Sequence, residues 1–302
     1  MIDLSVIIVT YNTCDLTRRC LRALAADDPS PFTVEIIVVD NGSTDATSAM
    51  LTAEFPTVRL LQNQRNEGFA RGNNVGLATA AGRYLMLLNS DTEVLPGALR
   101  SLITFMDAHP AVGACGPMLL NPDGSLQPSG RKLPTLWSVF QDMTKLYQFQ
   151  RSNLYVETGR DYNQPKQVEE ISGAAFVVRR AVYTQVGGLD PAFFAYYEDV
   201  DWCKRIGDAG WSIYYAPDAR VVHLWQGTSR QTSARAYAAG QDSLRHYFTK
   251  HHGWASAFVI QALLVGKELL RIIGCLIRCN RDGLAFHWRM LRNALTPLRD
   301  AA

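Results

Sequence analysis

Four apolar runs, separated by three helical stretches, constrain this chain more than any other feature. The first, Leu4–Thr10 (LSVIIVT), is an unbroken β-branched run. It is too short for a buried helix and too apolar to be half-exposed, so it predicts a strand covered on both faces of a parallel sheet. Helical periodicity follows at Leu16, Cys20, Leu21 and Leu24. Glu35–Asp40 (EIIVVD), Val58–Leu61 (VRLL) and Tyr84–Asn89 (YLMLLN) read as three further strands, with helices predicted over Thr44–Phe55 and Gly72–Ala81. Such alternation implies right-handed crossovers and an α/β fold, a mostly parallel, Rossmann-like sheet flanked by helices.

In sheets of this kind ligands bind outside the carboxyl ends of the strands. The first, second and fourth strands end in Thr10-Tyr11-Asn12, Asp40-Asn41-Gly42 and Asn89-Ser90-Asp91. An Asp or Asn after a strand is also an ordinary cap or turn residue, so no single one of these segments marks a site. Further along, Ser172–Arg179 returns to strand character, Ile213–Pro217 and Arg220–His223 read as two short strands, and Pro128–Lys166 lacks clear period. A stretch that long without a pattern is expected to be a functional lid or an inserted subdomain.

Composition narrows the class. The chain has 302 residues, 47% hydrophobic and 19% charged, enough for one large α/β domain and an appendage. A net charge of +2 gives no reason to expect a nucleic-acid partner. The six cysteines include no Cys-x-x-Cys pair and no zinc spacing, so reduced structural thiols are expected. With a strand beginning within a few residues of Met1, no signal peptide is expected, and the reading is cytoplasmic.

Three groups of residues can carry chemistry. Asp91, at the end of an apolar strand, is a candidate carboxylate ligand for a hard divalent ion, and His223, at the end of another, is a second. Phe194–Arg205 (FAYYEDVDWCKR) sets Glu198, Asp199 and Asp201 behind a run of aromatics and ahead of a helix. Acidic residues in a first turn stabilise a helix, yet aromatic faces beside carboxylates are also what sugar rings bind. A carboxylate acting there as general base would drive direct displacement, and close packing of the three would raise the pKa of one. Asn66–Asn74 (NEGFARGNN) offers glycines and a helix start that suit close approach by an anion, without matching the Lys-containing or Gly-x-Gly-x-x-Gly phosphate loops.

Taken in order, VIIVTYN (6–12), IIVVDNGSTD (36–45), NEGFARGNN (66–74), LMLLNSDTEV (85–94), SGAAFVVRR (172–180), YEDVDWCKR (197–205) and HLWQGTS (223–229) resemble the family-2 glycosyltransferases of the GT-A fold. The likeness covers about residues 3–250 and is closest to the bacterial rhamnosyltransferase-like branch, which acts on cell-surface polysaccharides. It implies an inverting, metal-dependent transfer of a sugar from a nucleotide-diphosphate donor to a saccharide or lipid-linked acceptor, with L-rhamnose from dTDP-rhamnose as the expected donor and Mg2+ or Mn2+ as cofactor. By resemblance, Thr10, Tyr11 and Asn12 line the nucleotide pocket and Asp40 holds base or ribose. Asn66, Gly68 and Asn73 shape the donor floor, beside Asn89 and Ser90. Asp91 and His223 hold the metal. Asp199 is the catalytic base, with Glu198 as neighbour and Asp201 positioning the acceptor. Arg131, Trp137, Gly173 and Trp202 stand on the acceptor side. The metal motif, usually Asp-x-Asp, reads Asn89-Ser90-Asp91 here, which implies a weaker site completed by the diphosphate.

Residues 267–302 carry seven Lys and Arg against three Asp and Glu, so the tail is basic. Its longest uncharged run, Gly253–Gly266, is 14 residues, short of the roughly 20 that span a bilayer. Lys267, Arg271 and Arg278 at helical spacing among Ile, Leu and Val predict an amphipathic helix. The expected division is therefore a catalytic domain over 1–252 and C-terminal amphipathic helices over 253–302. The helices are expected to lie peripherally on the inner face of the plasma membrane through 253–292, or alternatively to pack on the catalytic domain or form a homodimer. Two other functions fit the motifs less well or equally: the same mechanism with a UDP- or GDP-sugar, and a nucleotide-sugar-binding scaffold without catalysis. A sugar nucleotidyltransferase is disfavoured, because Thr10–Leu16 lacks a Gly-rich, basic phosphate loop.

Overall fold

The computed structural model describes residues 1–146, 161–225 and 233–297. Two expectations therefore lie partly outside the described residues: the middle of Pro128–Lys166, and the Gln226–Ser229 part of HLWQGTS. The chain divides into two compact units. The first comprises Met1–Leu133, Gly159–Pro191 and Asp199–Gln231, and the second Pro134–Thr158, Ala192–Glu198 and Thr232–Ala302.

The first unit is built on β1 (Leu4–Thr10), β2 (Val34–Asp40), β3 (Arg59–Gln62) and β4 (Tyr84–Leu88), all parallel, in the order β3-β2-β1-β4. Along β1, Val6 and Ile8 enter the core on one face and Ile7 the core on the other, as expected of a strand buried on both sides. Helices α1 (Cys14–Ala26), α2 (Thr47–Glu54) and α3 (Phe69–Thr79) return the chain between these strands. In α1 the buried positions are Thr17, Cys20, Leu21 and Leu24, so Thr17 takes the place expected of Leu16. α3 begins three residues earlier than the pattern predicts, directly after Gly68 at φ 88°. It lies close on the sheet: a Cβ at Gly76 would stand 2.4 Å from Ile7 Cγ2.

Beyond β4 the sheet becomes mixed. β5 (Thr92–Val94) and α4 (Ala98–Ala108) lead to β6 (Val112–Leu120), which sits between two later strands, β11 (Ala175–Arg179) and β12 (Ser212–His223), giving the order β4-β11-β6-β12-β5. β11 runs antiparallel to both β4 and β6, and β12 runs parallel to β6. The two short strands expected at 213–217 and 220–223 are one strand. Pro217 and Asp218 fall in a register shift between Ala216 and Arg220 that bends β12 without ending it. Short pieces complete the unit: β7 (Leu126–Gln127) and β8 (Gly130–Arg131), β9 (Lys166–Val168) and β10 (Glu170–Ile171), with helices α6 (Arg180–Val186) and α7 (Glu198–Asp208), whose first residue is counted in the second unit.

The second unit is helical. α5 (Leu136–Thr144) starts at Thr135, whose side chain accepts from Ser138 N while Ser138 Oγ accepts from Thr135 N, a reciprocal capping box. α8 (Ser233–Ile277) is broken at Gly253 (φ 77°, ψ 172°), and α9 (Arg281–Ala294) is capped by Asn280. Past the break, Ala257, Ile260, Leu264, Glu268 and Ile272 form the buried stripe of α8. Glu268, fully buried, accepts from Tyr237 Oη (2.7 Å) and Gln241 Nε2 (3.3 Å) and pairs with His287 Nδ1 (2.8 Å). Arg245 and Gln261 donate to the carbonyl of Ala294 at 3.4 and 3.0 Å, holding the end of α9.

Candidate active site

The carboxyl ends of β1 and β2 form a closed polar wall. Asp40 is buried, and its carboxylate accepts from Ser43 N (2.9 Å) and from the Ser48 hydroxyl. Asn12, at φ 53°, turns its Oδ1 to Thr44 N (2.7 Å) and Asp45 N (3.3 Å), while its own N donates to Ser43 Oγ. Thr10 is buried with its hydroxyl between Thr13 and Thr17. Asn41 Nδ2 donates to Asn66 Oδ1 (3.1 Å) and Gly68 O (3.0 Å), and its Oδ1 accepts from Asn63 Nδ2 (2.9 Å) and Glu67 N (3.2 Å). One buried amide thus joins the end of β2 to the whole Asn63–Gly68 loop. Asn73 turns inward to Phe69 O (3.0 Å) and serves its own helix. Tyr11 stands half-buried at the turn.

The end of β4 is built differently. Asn89 Oδ1 is buried and has no hydrogen-bond partner among the described residues. Ser90 Oγ meets Thr13 Oγ1 at 3.3 Å, tying this turn to that of β1. Asp91 Oδ1 lies 3.4 Å from His223 Nε2, both side chains nearly buried. The other imidazole nitrogen, Nδ1, is 2.8 Å from Gln127 Oε1, and Gln127 Nε2 donates to Asn121 Oδ1 (3.0 Å) and His223 O (3.4 Å). Gln127 presents its oxygen, so Nδ1 donates to it and Nε2 is the nitrogen directed at the carboxylate. An imidazole nitrogen and a carboxylate oxygen set side by side are a pair that can flank a divalent ion. Gln127 stands 96 residues from His223, and no spacing in the sequence links the two.

Asp199 is held on both oxygens. Oδ2 accepts from Gly173 N (2.8 Å) and Oδ1 from Val200 N (2.9 Å). A Cβ at Gly173 would sit 3.3 Å from that Oδ2, so glycine is what lets the backbone amide come so close. Asn89 N donates to Ala174 O (2.9 Å), so the end of β4 and the Asp199 carboxylate are fixed by adjoining residues of one bend. Behind it, Arg131 and Glu170 face each other across the β8–β10 pair at 4.0 Å. Burial pushes the Glu170 carboxyl up to about 8, with Arg131 opposing the shift and Asp199 adding to it.

The remaining expected residues are placed elsewhere. Asp201 is fully buried and pairs with Arg205 Nε (2.8 Å), whose guanidinium also donates to Val186 O and Gly188 O at 2.7 Å, so the pair holds α7 on its neighbours. Trp202 is a core residue, stacked on Phe176 at 5.1 Å with Nε1 donating to Gly187 O. Neither offers a surface to an acceptor. Glu198 is buried and Trp137 is about half exposed, stacked on Phe140 at 5.5 Å; both belong to the second unit.

After β4 an unsatisfied amide oxygen and a carboxylate that meets an imidazole nitrogen of β12, with a second carboxylate held at the Gly173–Ala174 bend to which Asn89 bonds, suit transfer to a hydroxyl with a charged leaving group. The family model for glycosyl transferase family 2 matches residues 5–187. The chain is a family-2 glycosyltransferase. The transferase is 32% identical over 266 residues to the N-acetylglucosaminyl-diphospho-decaprenol L-rhamnosyltransferase of Mycobacterium tuberculosis, covering 83% of this chain and 86% of the relative. Its fold is that of solved GT-A enzymes. The mannosyltransferase PcManGT from Pyrobaculum calidifontis, in complex with GDP-Man and Mn2+, superposes with a TM-score of 0.59 at 15% identity, over 99% of this chain and 88% of that one. GalNAc-T7, with UDP, GalNAc and Mn2+, does so with 0.60 at 16% identity, over 82% of this chain and 50% of that one.

Proposed function

We propose that the transferase moves L-rhamnose, from dTDP-rhamnose, onto a lipid-linked saccharide in cell-surface polysaccharide synthesis, with inversion at the anomeric carbon and with a divalent metal. The donor and acceptor follow the mycobacterial rhamnosyltransferase, similar over most of both chains. The observation that carries the metal is the Asp91–His223 pair, with Nε2 turned toward the carboxylate by Gln127. Asp91, His223 and the orphaned Oδ1 of Asn89 would hold the ion. Among the described residues no cluster of three His, Cys, Asp or Glu exists, so phosphate oxygens and water would complete its shell, as magnesium and manganese prefer. When bound, the ion neutralises charge on the departing diphosphate.

Asp199 acts as general base. The acceptor hydroxyl gives its proton to a carboxylate oxygen, the freed oxygen forms the new bond to the anomeric carbon, and the nucleoside diphosphate leaves with the electrons of the broken bond. The amides of Gly173 and Val200 fix the carboxylate so that it need not reorient during attack. The Asp40, Asn12 and Asn41 wall forms the rigid side of the nucleotide pocket.

A panel of dTDP-, UDP- and GDP-sugars, scored for nucleotide release with manganese, magnesium or a chelator, tests the reading. Release is expected with dTDP-rhamnose and is lost with the chelator. Chelator-resistant release removes the metal assignment, and preference for another nucleotide removes the donor.

A further inference from the structure

Past the break at Gly253, the two sides of α8 differ in kind. Its buried stripe, Ala257, Ile260, Leu264, Glu268 and Ile272, repeats at three- and four-residue spacing. The opposite side holds Phe258, Leu270, Ile273, Leu276 and Ile277, with Phe258 68%, Leu270 72% and Ile277 78% exposed. Between Trp254 and Ile277 the chain has only three charged residues, Lys267, Glu268 and Arg271, and the one acid among them is fully buried. The exposed apolar side chains fall in two groups, Trp254, Phe258 and Val259 near the break and Leu269, Leu270, Ile273, Leu276 and Ile277 toward the end of the helix. Large apolar side chains exposed in such clusters mark a docking surface.

The rotation of this helix is not left to chance. Glu268 is tied to Tyr237, Gln241 and His287 at the centre of the unit, so its side of α8 faces in and the apolar side faces out.

We propose that this face docks on the surface of an anionic lipid bilayer. Charge selects the occupant. Arg271, Arg278, Arg281, Arg289 and Arg292 are exposed on α8 and α9; of the described residues from 254 onward the one exposed acid is Asp282, while Asp142 of α5 acts on Lys267 and Asp242 pairs with Arg245. A second copy would set one arginine-rich border against another, which costs association energy, whereas phosphate headgroups complement it. Trp254 and Trp288, each about half exposed, are the side chains that settle at a headgroup boundary. The helix lies in the interface and does not cross it, since no helix among the described residues is long and apolar enough to span a membrane. The inference rests on the second unit and stands independently of the donor and the metal.

Co-sedimentation of the full chain with vesicles tests it. Binding is expected to vesicles of phosphatidylcholine with phosphatidylglycerol, to weaken as salt is added, and to be much poorer with phosphatidylcholine alone. The doubly substituted Leu270→Glu, Ile273→Glu chain is expected to lose about tenfold or more in partitioning. Arg278→Glu with Arg281→Glu is expected to lose roughly fivefold per arginine, on anionic vesicles only. Both pairs are exposed and outside the catalytic unit, so nucleotide release without vesicles stays at the level of the parent chain, which shows that they fold. The proposal is overturned if the parent chain ignores anionic vesicles. It is equally overturned if Leu270→Glu, Ile273→Glu binds them undiminished, or if light scattering shows a dimer that this variant dissolves.

Discussion

The ends of β2 and β4 lie one strand apart in the same sheet, yet they are finished in opposite ways. At the end of β2, Asp40 and Asn41 have their polar atoms taken up by Ser43, Ser48 and the Asn63–Gly68 loop. At the end of β4, Asn89 Oδ1 is orphaned and Asp91 faces His223 Nε2 at 3.4 Å. Burying an unsatisfied polar atom costs about 1–3 kcal/mol, so a fold that tolerates it at one strand end and removes it at the next has separated scaffold from working surface. On the proposed reading, the β2 end is the rigid support of the nucleotide pocket and the β4 end is where the chemistry takes place.

The largest effect that would break this division is at Asp199. Asp199→Asn keeps the shape and removes the proposed base, so kcat is expected to fall by about a thousandfold with nucleotide affinity unchanged, read by transfer assay and titration calorimetry. Retained turnover would move the base elsewhere. On the scaffold side, Asn41→Ala strands the groups it joins and should destabilise the fold by about 3 kcal/mol in urea unfolding, with the metal response of the remaining folded enzyme intact. A change in metal affinity instead would show that the two strand ends are not separate. Gln127→Leu also strands buried partners and is expected to cost about 1–3 kcal/mol, but in addition to weaken activation by manganese by about ten- to a hundredfold, because His223 loses its orienting acceptor.

The smallest effect concerns Glu170. Its carboxyl is held up at about 8 by burial, against an ordinary 4.5, so the folded state keeps a proton that the unfolded chain has released between those values. Its contribution to stability is therefore complete below about 4.5 and is lost as pH rises through about 8. Glu170→Gln should flatten the fall in melting temperature across that window. An unchanged profile would show that the group titrates normally.

What the sequence discloses follows the locality of the cause. β1, β2 and β4 are legible because continuous apolar runs have few other solutions. β6 (VGACGPMLL) lies inside the sheet and is not legible, because its glycines and proline read as breakers. They are there because Trp211 and Ile171 fill the space: a Cβ at Gly113 would meet Trp211 Cβ at 2.6 Å, and one at Gly116 would meet Ile171 Cγ2 at 2.3 Å. The same rule holds in the site. Asp91 and His223 are readable at strand ends, whereas the pairing of Gln127 with His223 is not, since only the fold brings them together. Asp201 and Trp202 share the acidic, aromatic segment with Asp199, but composition does not tell which side of α7 each occupies. Helical phase sends both inward, to Arg205 and Phe176.

Glu268 indexes the second half of α8 like a keyed shaft. Exchange of Leu for Ile or Phe on the outward side keeps that side apolar, so its composition is free to drift. Gain or loss of a single residue between Ala257 and Ile272 is another matter. It would turn everything on one side of the change by about 100°, carrying Leu270 and Ile273 off the outer face or pulling Glu268 out of its socket. The helix is thus held to a fixed count of residues far more strictly than to their identity.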